Sequence, residues 1–119
     1  MLEPIDGAPA GVIAYRAIGE IRAEDYETTL RPAVDAAAAQ GKLRLVFELG
    51  PDFTGYSPGA AWEDFKLGTG NLTNWARFAV VTDHEMLAGA IRAFGVLMPG
   101  EIKVFPVGQT AAALAWAAG

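Results

Sequence analysis

Ser57-Pro58 is the first place in the chain where residue type and spacing suggest chemistry. A serine followed by proline suits a helix N-cap and first helical position. The hydroxyl accepts from a free amide, and proline lacks a donor that this position does not use. Amides at such a terminus also favour negative charge, which makes Ser57 a candidate for phosphorylation or anion contact. Trp62 and Phe65 follow at a spacing of three, with Ala61 adjoining. They form either a core stripe or one wall of an apolar pocket shared with Tyr56 and Trp75. Glu63, Asp64 and Lys66 read as a solvated helix face on which Glu63 and Lys66 pair.

Other chemistry is harder to build. Glu63 and Asp64 do not converge on one bond, because adjacent helical positions point about 100° apart. His84 is the only histidine and there is no cysteine, which removes thiolate chemistry and the usual zinc ligand sets. Nothing places His84 beside Ser57 for a triad. Gly68-Thr69-Gly70 lacks the Gly-Lys-Ser/Thr of a phosphate loop and reads as a flexible connector, the connection spanning residues 67–74. Asn71-Leu72-Thr73 matches a glycosylation acceptor, which has no use in a cytoplasmic protein. Tyr56 and Asp52 are the remaining enzyme candidates, and neither comes with a nucleophile–base partner. No catalytic residue, metal ligand or cofactor is therefore expected.

The elements that must position these residues are those of one domain over residues 1–119. Nine Lys plus Arg stand against 14 Asp plus Glu, for a net charge of −5, which argues against nucleic acid as a partner. No apolar run approaches the ~20 residues of a membrane span. The start, Met1-Leu2-Glu3-Pro4, lacks the basic and apolar segments of a signal peptide, so a cytoplasmic location is expected.

Residues 1–6 read as an edge strand, since Pro4 is tolerable only at an edge, hairpinned to a strand at 12–18. Tyr26, Leu30, Val34 and Ala37 recur at helical spacing, with Pro32 splitting off a first turn and Gly41 ending the helix. Along residues 42–49, Leu43, Leu45, Phe47 and Leu49 share one face while Arg44, Val46 and Glu48 share the other. That alternation predicts one thinly covered sheet face, with Arg44 and Glu48 pairing with neighbours or lining a surface for self-association. Residues 78–81 predict a central strand, Thr82 and Glu85 a capping box, and Leu87, Ile91 and Phe94 the core face of the next helix. Residues 102–107 and 109–118 predict a last strand and helix. The order is ββαβαβαβα: an α/β fold with a five-stranded, mixed, mostly parallel sheet and helices mainly on one face.

Several segments together resemble the small STAS-type family of SpoIIAA-like proteins over essentially the whole chain. They are Glu24-Asp25-Tyr26, Lys42-Leu43-Arg44-Leu45-Val46, Trp62-Glu63-Asp64-Phe65-Lys66, Arg77-Phe78-Ala79-Val80-Val81-Thr82-Asp83 and Ala115-Trp116. The resemblance implies a fold related in plan to anti-anti-sigma factors and lipid-binding Sec14-type domains, and no established reaction. Anti-anti-sigma proteins carry an Asp-Ser pair and then a glycine at a helix start. Ser57 and Gly59 match the serine and glycine, but Tyr56 replaces the aspartate and Pro58 intervenes.

The resulting expectation is a non-enzymatic module that binds a small apolar or amphipathic, lipid-like ligand near the helix starting at Ser57. Tyr56, Ser57, Trp62, Phe65, Lys66 and Trp75 are the residues expected to meet ligand or partner. The alternative is a partner-switch protein docking another protein through the Ser57 helix. An exposed sheet edge leaves room for a homo-oligomer.

Overall fold

A five-stranded sheet carries the architecture of the computed structural model, which describes residues 1–71 and 73–119. Its members are β1 (Leu2–Pro4), β2 (Ile13–Ala17), β4 (Leu43–Leu49), β6 (Trp75–Thr82) and β7 (Glu101–Phe105), side by side in that order. β1 runs antiparallel to β2, as a hairpin requires, and the other pairings are parallel. The expected fold class and sheet are therefore present. Pro4 sits on the outermost strand, where a missing N–H costs no ladder bond.

Two further strands were not expected. β3 (Gly19–Ile21) and β5 (Phe53–Tyr56) form a separate parallel pair. Gly19, at φ +67°, turns the chain away from the main sheet directly after β2, and its N–H donates to Asp52 O at 2.7 Å. Tyr56 consequently lies at the end of a strand rather than in the opening of a helix.

The helical segment over residues 23–38 is broken in three: α1 (Ala23–Asp25), a π-helical turn (Tyr26–Leu30) and α2 (Arg31–Ala38). The wide turn falls just ahead of Pro32, whose ring would crowd the Thr28 carbonyl in a regular helix. It keeps both Tyr26 and Leu30 buried.

α3 (Pro58–Gly70) runs through Gly68-Thr69-Gly70, which is helix rather than flexible connector. The Thr69 hydroxyl donates to Phe65 O at 2.8 Å and the Trp75 indole N–H to Gly68 O at 3.3 Å, so local polar groups sustain a glycine-rich end. Of the predicted glycosylation acceptor, Leu72 lies outside the described residues. α4 (Glu85–Leu97) is capped by His84, not by a Thr82–Glu85 box: His84 Nδ1 accepts from Leu87 N–H at 3.4 Å, and Thr82 Oγ1 accepts from His84 N–H at 3.1 Å.

Alternation in β4 divides the core. Leu43, Leu45, Phe47 and Leu49 face the side covered by Leu30, Val34, Leu67 and α4. Val46 joins Ala79 and Val81 on the opposite side, beneath α5 (Thr110–Ala118). Fully buried Ala113 and Ala117 let that helix approach closely. The polar residues of the same face hold it. Arg44 and Arg77 donate to the carbonyls of Ala117 and Trp116, each at 2.6 Å, at the negative end of the helix. Thr110, at its start, donates to Glu48, which also accepts from Arg16. Arg44 and Glu48 are thus engaged in clamping α5, and the face predicted to be thinly covered is covered by one small-residue helix. No helix among the described residues is long and apolar enough to cross a membrane.

Candidate functional site

On the major helical side, α3 packs toward α1 and the π-turn while α4 packs on β6 and β7. Between them lies a cavity of about 240 Å³. Its floor is the sheet, through Leu45, Phe47, Val80 and Ile102; α4 contributes Leu87, Ile91 and Phe94. Gly68, also in the lining, lets the Phe94 ring of α4 approach α3 closely. A Cβ there would meet the Phe94 ring at 3.3 Å.

The candidate residues from the sequence divide across this geometry. Tyr56, Phe65 and Trp75 line the cavity. Trp75 is 2% exposed and forms part of the core, while Phe65 is 58% exposed and so stands at the mouth. Ser57, Trp62 and Lys66 do not line it. Ser57 caps α3, its Oγ accepting from Ala60 N–H at 3.1 Å with Pro58 behind it, as its sequence context predicts. Trp62 is 59% exposed and stacks on Phe65 with centroids 5.8 Å apart, so these two residues are not a core stripe. The Lys66 ammonium pairs with Glu63 at 2.9 Å, the expected i, i+3 contact.

The face predicted to be solvated is split by one residue step. Glu63 is only 7% exposed, covered by Lys66 and by Arg31, whose Nη2 lies 2.6 Å from Glu63 Oε2. The Lys66 hydrogen bond, with help from Arg31, holds its carboxyl below the usual carboxylate range. Asp64 turns the other way and lines the cavity. The correction to the sequence reading is that the buried stripe of α3 is Ala60, Glu63 and Leu67, at spacings i, i+3 and i+7, while Asp64 stays exposed at the rim of the cavity it lines. That periodicity was the available signal, and the adjacent aromatic pair obscured it.

Asp64 Oδ1 accepts from the Tyr26 hydroxyl at 2.8 Å. Asp64 is exposed as a residue, but the protein atoms around its carboxyl at the cavity rim still displace water and push it up, and the Tyr26 hydrogen bond only partly offsets this. The same burial, followed by the nearby Asp64 charge, raises both the Tyr26 and the Tyr56 hydroxyls. Asp64 and Tyr56 therefore form one polar end in an otherwise apolar cavity, with the fully buried Tyr26 hydrogen-bonded to Asp64 from behind it. An arrangement of this kind can solvate an apolar body and orient one polar head. A second, more open cleft lies at the carboxyl ends of β4 and β6, between Gly50, Pro51, Thr82 and His84. There Asp83 Oδ1 is already taken by Val107 N–H at 2.9 Å.

The SpoIIAA-like family model matches residues 12–118. Among solved structures, the chain is similar to an uncharacterised protein of the DUF3478 family with a SpoIIAA-like fold from Shewanella loihica PV-4. The TM-score is 0.73 at 28% identity, over 98% of this chain and 90% of that one. No curated protein matches the chain.

Proposed function

The chain belongs to the SpoIIAA-like family, and from that premise we propose that it is a non-enzymatic binding module for a small amphipathic ligand held between α3 and α4. One observation carries this reading: the cavity of about 240 Å³ with apolar walls and a single polar end. It exceeds the roughly 150 Å³ at which an engineered apolar cavity already takes up benzene. Tyr56, Phe65 and Trp75 are the members of the sequence-derived set that would touch the ligand. Phe65 at the mouth gives a route of entry that needs no movement of the sheet.

The test combines native mass spectrometry with a blocking variant. Protein as purified should retain an apolar adduct, and Ala90→Trp, at a lining position on the outer part of α4, should abolish uptake of an apolar dye without lowering stability. Absence of any adduct across expression hosts, together with dye uptake unchanged in Ala90→Trp, would overturn the reading.

A second reading is favoured by the exposed Trp62–Phe65 stack on the Ser57 helix. It is a partner-switch protein that docks another protein there. Pull-downs in which Ser57→Asp recovers the same partners as the native chain would remove it.

A further inference from the structure

The charge of the cavity says more about its occupant than its volume does, provided that the cavity binds a ligand at all. Asp64 is the only fully charged residue type among the lining residues; no Lys, Arg or His is among them. Among the described residues, the neighbouring cations are committed elsewhere. Arg31 and Lys66 both pair with Glu63, which is covered by them and does not line the cavity. Among the described residues Asp64 forms no ion pair, and the hydrogen bond it accepts from Tyr26 occupies Oδ1.

Asp64 sits exposed at the rim of a cavity whose other lining residues are uncharged, so an entering cation finds there a carboxylate oxygen with which to make a charge-assisted hydrogen bond. Tyr56, Phe65, Trp75, Phe78 and Phe94 also line the cavity, and an aromatic lining favours a cation over an anion. An anionic head, whether a fatty-acid carboxylate or a lipid phosphate, would meet Asp64 with no compensating charge.

We propose that the cavity selects a small apolar amine, its ammonium donating to Asp64 Oδ2 beside Tyr56 and its hydrocarbon part lying against Phe47, Trp75 and Phe94. This deepens the binding reading by naming the ligand class. Asp64 is then the specificity-determining residue and the apolar walls supply the rest of the affinity.

Three matched probes test it by calorimetry: 2-phenylethylamine, 2-phenylethanol and phenylacetate. The amine should bind about tenfold more tightly than the alcohol, since a hydrogen bond to an ionised partner is the stronger kind. Phenylacetate should bind most weakly. Asp64→Asn keeps the shape and an acceptor for Tyr26, so it should erase the amine's advantage while leaving alcohol binding within about twofold, an outcome a merely structural role would not give. In the native chain, the Asp64 carboxyl carbon resonance should move on adding the amine. Phenylacetate binding as tightly as the amine, or an Asp64→Asn chain that keeps the preference, would overturn the charge assignment alone. Failure of all three probes to bind would overturn the cavity reading with it.

Discussion

Glu63 and Asp64 are neighbours in sequence with opposite environments, and their titrations should oppose each other. Asp64 has a raised folded-state pKa, so its contribution is greatest below the unfolded value of about 3.9 and is lost as pH rises through the folded value. Asp64→Asn removes this dependence. Thermal unfolding from pH 4 to pH 8 should show the variant gaining on the native chain as pH rises, with the least advantage at the acid end. Glu48 behaves in the reverse sense. Burial works against its charge, but hydrogen bonds from Arg16 and Thr110 hold its carboxyl below the usual range. Its contribution is therefore present above the unfolded value of about 4.3 and lost as pH falls through the folded one. Glu48→Gln should flatten the acid side of the same profile. Trp62, despite its size, should matter little to stability: Trp62→Ala should cost within about 0.5 kcal/mol by denaturant titration, because the ring is mostly in solvent.

Among the helices, two substitutions separate local propensity from packing. Ser57→Ala removes the acceptor for Ala60 N–H and should destabilise by about 1 kcal/mol, read by chemical denaturation. Gly95→Ala tests sign. In an exposed helix interior the change is favourable by roughly 0.5–1 kcal/mol. Here the new Cβ would run into Ile102 Cγ2 on β7, so a loss of about 1–3 kcal/mol is expected instead. A stabilised Gly95→Ala chain would show that α4 does not sit on β7 as described. The capping of α3 was legible from Ser57-Pro58 alone because an N-cap is a contact between residues three apart. The start of α4 was not. Thr82 and Glu85 have the spacing of a box, but β6 continues to Thr82 in the sheet, leaving His84 to cap.

At the scale of the whole molecule, the sheet is clamped from one side by α5 and left open to a cavity on the other. The clamp is polar at both ends, with Arg44 and Arg77 at one and Glu48 at the other, and its middle is alanine. The open side buries fewer contacts than a filled core would, so a ligand there should stabilise the fold. At a hundredfold excess of an amine over its dissociation constant, stability should rise by about 2.7 kcal/mol, visible as an upward shift in Tm that Ala90→Trp does not show.

The order of the main-sheet strands and the helices between them, the hairpin at the start, the two faces of β4 and the cap at Ser57 were determined by the sequence itself, since each rests on neighbours within a few residues. The β3–β5 pair was not visible, because Gly19–Ile21 and Phe53–Tyr56 are short and find each other only across more than thirty positions. Which face of α3 turns inward was also decided by tertiary structure. Helical periodicity fixes the angle between Trp62 and Asp64 but not which of them meets the sheet. Arg31 pairing with the buried Glu63 and Tyr26 donating to Asp64 settle that rotation, and both partners lie more than thirty residues away.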